Sequence, residues 1–175
     1  GPVVGRDVIQ AELACMRAAV LHVHDAVVAA MNAGGDVWTA MREIRLPPAL
    51  AVGEGYGKVS WSVRAIWELY AGWFHARSTT ELYPVPYWSV HPDLVALAGG
   101  PDPVAAAAAR KVDAAPLEAL HLAEAALAVA PAHRGALGAS LAAHRVLLAR
   151  AENFWETRWL ESEIRRLERA LAESA

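Results

Sequence analysis

From Arg6 to Asn32 apolar residues return at steps of three and four, through Ile9, Leu13, Met16, Val20, Val23, Val27 and Met31. That period predicts one long helix with a single apolar stripe, closed by the glycines of "AGGD". Asp36 stands where an N-cap is wanted for a short helix through Trp38 and Met41, and "RLPPAL" ends it because the residue before a proline is pushed out of the helical region. A glycine-rich loop, "VGEGYGK", follows. Ser60 or Ser62 then caps a helix expected to run to Phe74, in which Val63, Trp67, Tyr70 and Phe74 fall at steps of four, three and four. Ile66 and Trp73 widen this stripe. The predicted core of the segment is Trp61, Val63, Trp67, Tyr70, Trp73 and Phe74.

Residues 76–92, "ARSTTELYPVPYWSVHP", hold three prolines and read as an extended, aromatic-rich connector packed on the surface. "LVALAGGPDPV" marks a short helix, a turn and a new start. Residues 104–153 contain three alanine- and leucine-rich helical runs broken near "DAAP" and "APAH", and "ETRWLESEIRRLERALAES" supplies a last amphipathic helix. No stretch alternates as a strand does. The pattern as a whole predicts an all-α fold of stacked antiparallel helix pairs. In the C-terminal half Ala119, Ala126 and Pro131 have the spacing of small residues and terminal proline in a tetratricopeptide repeat.

At 175 residues the chain has the length of a single domain, 1–175, with residues 1–5 as a residual linker or the tail of a preceding domain, and it can bury a core without metal or disulfide staples. Apolar residues at 55% and charged residues at 20% exclude a disordered tail, and a net charge of -3 gives no basic footprint for nucleic acid. The single cysteine, Cys15, lies in an apolar helical run, which makes it a buried thiol rather than a nucleophile and leaves the compartment open. No run of about 18 apolar residues is free of charge, and no basic start leads to a cleavage site, so neither a membrane span nor a signal peptide is expected. The opening "GPVVGRDVIQAEL" lacks an initiating methionine, as a piece of a longer protein would.

Few residues carry obvious chemistry. "HVHD", residues 22–25, superficially matches a His-x-His-x-Asp metal motif, but on a helix His22 and His24 point to nearly opposite sides. Zinc-binding histidines on a helix need the four-residue spacing of HExxH. His75, His91, His121, His133 and His144 show no paired ligand spacing. There is no GxSxG elbow and no GxxxxGK[ST] phosphate loop, and "GEGYGK" lacks the preceding strand and last glycine of a dinucleotide fingerprint. The carboxylates lie along wet helix faces. The residues by themselves describe a helical interaction domain.

One ordered set of segments adds to this. "HDAVVAAMNAGGDVWTAMREIRLPPAL", "GYGKVSWSVRAIWELYAGWF", "ELYPVP" and "ALAGGPDPV" resemble the dimerisation domain of the alkyl sulfatase family, zinc hydrolases with a metallo-β-lactamase catalytic domain. The Tyr-x-Gly-Trp-Phe piece, Tyr70 to Phe74, is the most specific part. At the C-terminal end the family's Asn-Phe-Tyr-Leu-type signature is altered to Arg158-Trp159-Leu160. The resemblance implies a homodimer, an N-terminal metallo-β-lactamase-fold domain that holds the zinc, and no catalytic or metal residue in this chain. It leaves the sterol-carrier-like domain that often follows without a counterpart here. Gly1-Pro2 reads either as the tail of a Gly-His-Gly-Pro zinc loop or as the residue pair that protease removal of a tag leaves. Three glycines set Tyr56 and Lys58 on a displayed loop, where they would face substrate in the parent enzyme. The alternative reading is a free-standing helical-repeat adaptor.

Overall fold

The computed structural model describes residues 2–75 and 77–174, and among these every regular element is helical. Eight α-helices follow in order: α1 Arg6–Asn32, α2 Val37–Glu43, α3 Val59–Ala71, α4 His91–Leu97, α5 Pro101–Lys111, α6 Pro116–Val129, α7 Arg134–Leu148 and α8 Phe154–Glu173. Short 3-10 turns lie at Pro48–Leu50, Thr79–Leu82 and Tyr87–Val90. The helices group into two compact units, one ending at Ser78 and one beginning at Thr79.

In the first unit the C-terminal half of α1 and the short α2 both pack on α3. The core consists of Val23 and Val27 from α1, Val37 and Ala40 from α2, and Val63 and Trp67 from α3. Val27 and Val63 are wholly buried. The α1 and α3 members are positions that the two helical stripes predict, whereas α2 buries Val37 and Ala40 and leaves Trp38 exposed. Gly34, at φ 71°, supplies the left-handed turn that ends α1. Asp36 caps α2 as expected: one carboxylate oxygen accepts the Thr39 amide at 3.0 Å and the other accepts the Thr39 hydroxyl at 2.7 Å. Arg77 lies 3.3 Å from the same group. The Thr39 hydrogen bonds and then Arg77 hold the Asp36 carboxyl down at about 2.

Three expectations for the α3 region are corrected. The helix begins at Val59, and its first amide is capped by Glu54 reaching back from the loop, at 2.5 Å, rather than by Ser60 or Ser62. It ends at Ala71, because Gly72 at φ 68° breaks the helix. Trp73 and Phe74 therefore lie beyond it and cannot extend its stripe; Trp73 is 70% exposed. Of the six predicted core residues, Val63 and Trp67 are buried, whereas Trp61, Tyr70, Trp73 and Phe74 are exposed. Gly53, Gly55 and Gly57 do not take positive φ; their surroundings are open space, so the loop is displayed without a left-handed backbone.

The second unit begins with the segment expected to be extended, but its described part coils into two 3-10 turns before α4. Helices α5, α6 and α7 pack on one another and α8 packs on α7. Their seam is made of alanine: Ala105, Ala108, Ala119, Ala123, Ala126, Ala136, Ala139 and Ala143 are buried. Side chains this small let helix backbones approach closely, an arrangement compatible with tetratricopeptide-like stacking. Leu160 and Leu167 secure α8, and Leu167 is wholly buried. His133 caps α7: its Nδ1 accepts the Ala136 amide at 3.1 Å, while Nε2–H donates to Asp102 of α5 at 2.8 Å. Buried Asn153 caps α8 through the Trp155 and Glu156 amides.

No stretch of about 18 residues is free of charge, but by length and mean composition α1 among the described helices is long and apolar enough to cross a membrane. Arg17 and Asp25 lie within it, and Val23 and Val27 face α3 rather than lipid.

Trp67→Ala is expected to cost roughly 3–5 kcal/mol and Trp73→Ala within about 0.5 kcal/mol, as read by denaturant titration of the two variants. The lowered Asp36 carboxyl gives a pH dependence of known sign. Its folded-state value lies below the unfolded value of about 3.9, so its stabilisation is present above that pH and fades as pH falls through about 2. Asp36→Asn should keep a cap but remove this part of the acid sensitivity, measured as melting temperature against pH.

Candidate functional site

The features that bear on function gather in the first unit, around the α1–α3 seam. The loop of residues 51–57 rises between the 3-10 turn at Pro48–Leu50 and the start of α3. Tyr56 is 75% exposed at its tip. Lys58, the N-cap residue of α3, places its ammonium 5.7 Å from the centre of the Trp61 ring. That contact accounts for Trp61 on the surface: it stacks under a cation instead of entering the core.

At the middle of α1, His24 is held on both ring nitrogens. Nδ1 lies 2.9 Å from the Asp25 carboxylate, which can only accept, so Nδ1 carries the proton. Nε2 then accepts from the Tyr70 hydroxyl at 2.7 Å. The two rings meet at a tilt, 5.7 Å between centres. Tyr70 is thus an exposed aromatic with a fixed hydroxyl, tying α3 to α1 from outside the core. Sequence reasoning missed this link because the partners are 46 positions apart. On the opposite side of α1, His22 donates from Nε2 to the Arg45 carbonyl at 3.1 Å.

These contacts do not suit zinc. Both nitrogens of His24 serve protein partners, the Nε2 of His22 serves a backbone carbonyl, and the described residues contain no group of three His, Cys, Asp or Glu side chains suited to a metal.

The N-terminal half of α1 has a different character. Its stripe continues the line of Val23 and Val27, yet Ile9, Leu13, Met16 and Val20 are exposed, Leu13 at 60% and Met16 at 56%. One helix face is therefore core at one end and bare at the other. Tyr83, Tyr87 and Trp88, in the segment before α4, are exposed as well.

Comparison with known proteins follows the same lines. A family model described as alkyl sulfatase dimerisation matches residues 39–169. The linear primary-alkylsulfatase of Pseudomonas sp. (strain ATCC 19151) is 38% identical over 112 residues, which is 61% of this chain and 21% of that protein. Among solved structures, the stereoselective inverting sec-alkylsulfatase Pisa1 from Pseudomonas sp. superposes with a TM-score of 0.84 at 24% identity, over 97% of this chain and 28% of that one. A double mutant of the same sec-alkyl sulfatase gives 0.83 at 24% identity, over 95% of this chain and 27% of its own. The chain thus spans between a fifth and a third of the length of these relatives. The structural likeness shows the all-α fold, and the family match favours a dimerisation domain over a free-standing repeat adaptor. With three quarters of its length matched by that model, the chain belongs to the alkyl sulfatase dimerisation family.

Proposed function

We propose that this chain brings two copies of a sulfate-ester hydrolase together and is not catalytic by itself. The observation that carries the reading is the bare half of the α1 stripe. Ile9, Leu13 and Met16 form an apolar strip on a helix whose next turns are core, and a strip of that kind is stable when a second surface covers it. A copy of the same helix, related by a two-fold axis, offers a self-complementary surface. In the parent protein the catalytic domain precedes α1, has the metallo-β-lactamase fold and holds the zinc. The His24 and His22 contacts support placing the metal outside this chain.

The loop supplies the second element of the reading. Tyr56 and Lys58 stand at the edge of the unit, one with a displayed phenol and the other with an ammonium, and in the parent enzyme they lean over the catalytic cleft toward the anionic substrate. No step of the reaction is assigned to them beyond contact with the ester.

Light scattering at micromolar concentration should give twice the 18.7 kDa chain mass, and Leu13→Glu with Met16→Glu should return the monomer without lowering helix content. A monomeric wild type would contradict the reading. The chain alone should show no hydrolysis of an alkyl sulfate above background and retain no stoichiometric zinc after dialysis. In the full-length enzyme Tyr56→Phe should lower turnover with an unchanged melting temperature; unchanged turnover and affinity would make the loop purely structural.

A further inference from the structure

Behind the displayed loop lies a groove that meets the bare stripe of α1 only at Val20. It consists of two adjoining clefts, of about 220 and 500 Å³, with Leu46, Val52, Glu54 and Val59 shared between them. The smaller cleft runs under the loop and is closed by Val20 and Val23 of α1 and Ile66 of α3. The larger one is flanked by Arg42 and Arg45. The smaller cleft is mainly aliphatic, with Glu54, Lys58 and Ser62 also in its lining, and the larger one adds the two arginines.

The charges at the basic end are available for an anion. Arg42 donates one Nη2 bond to the Thr39 hydroxyl at 2.9 Å, and Arg45 donates from Nη1 to the Ile44 carbonyl at 2.8 Å and to the Met41 carbonyl at 3.4 Å. All these partners are uncharged, and each guanidinium has five N–H groups, so donors remain at both. The acidic group on the groove is Glu54, which spends one oxygen on the Val59 amide at the start of α3. Arg42 and Arg45 outnumber it. An aliphatic cleft joined to a cationic one suits an amphiphile with a negative head.

We propose that this groove binds an alkyl sulfate, with the chain under the loop against Val20, Val23 and Ile66 and the sulfate between Arg42 and Arg45. The inference rests on the alkyl-sulfatase reading for its choice of ligand, and on the juxtaposition of the two clefts for its location. It makes the domain a holding site for the surfactant class on which the parent acts, beside the loop that carries Tyr56 and Lys58.

The test uses the chain as it stands, with sodium ethyl, hexyl, octyl and decyl sulfonates as non-hydrolysable probes below their micelle-forming concentrations, followed by calorimetry. The expected result is one saturable site per chain, with affinity rising about fourfold per methylene until the cleft is full. The double change Arg42→Gln with Arg45→Gln should weaken decyl sulfonate at least tenfold while leaving 1-decanol unaffected. Val52→Gln should weaken decyl sulfonate and leave ethyl sulfonate as it was, and melting curves establish that both variants fold. Absence of saturable decyl sulfonate binding, uptake of several equivalents per chain, or affinities unchanged in both variants would overturn the proposal. So would decanoate binding tenfold more tightly than decyl sulfonate. Light scattering on the same samples separates the two readings: a dimer that binds no sulfonate overturns the groove alone, and a monomer that binds one equivalent overturns the dimer alone.

Discussion

The contact on which the first unit depends is the packing of Val23 and Val27 of α1 against Val63 and Trp67 of α3. It fixes the start of α3, and with it the height at which the loop of residues 51–57 stands. It forms the closed end of the groove, since Val23 and Ile66 belong to the same seam. It also decides where α1 stops being covered. α3 is 13 residues long and α1 is 27, so α3 cannot accompany α1 along its whole length. The stripe runs on past the end of its partner. Sheathing half of a helix and leaving the other half bare is a direct consequence of unequal lengths on a continuous apolar line.

The second unit is held differently. The seam of α5, α6 and α7 is built mainly from alanine methyl groups, so each contact removes little area and the helices compensate by approaching more closely, while Leu137, Leu160 and Leu167 are the larger side chains buried alongside. Polar caps then fix where each helix starts. His133 satisfies the α7 amide at Ala136 and reaches α5 through Asp102, and Asn153 satisfies two amides at the head of α8. Surface pairs such as Arg145 with Glu168 join α7 to α8 but, being exposed, contribute about a kcal/mol or less.

How much of this was legible in the sequence varied with the range of the interaction. The α1 stripe was readable from Ile9 to Met31 because helical period is local, and Asp36 was readable as a cap because its partner Thr39 is three residues on. Glu54 was not, since a carboxylate that caps from five residues upstream leaves no spacing signature. Trp73 and Phe74 were placed in the core because their period fits α3; Gly72 within "YAGWF" was the available signal that the helix stops first. Tyr70 fits the same period but is drawn outward by His24, a partner that only the tertiary structure supplies. Periodicity also could not say that half of α1 is uncovered, because it reports which face is apolar and not what lies against it. The clustering of Arg42 and Arg45 beside an aliphatic cleft is likewise a product of the fold.

The central claim is that the bare half of α1 is completed by a second copy of the chain. Hydrogen exchange of the backbone amides of residues 8–20 tests it most directly, measured across a dilution series from high micromolar to low nanomolar chain. Coverage by a second copy predicts slow exchange at the concentrated end that becomes fast on dilution, while the amides around Val63 and Trp67 keep their protection throughout. Fast exchange of residues 8–20 at every concentration, or protection that does not change with dilution, would contradict it.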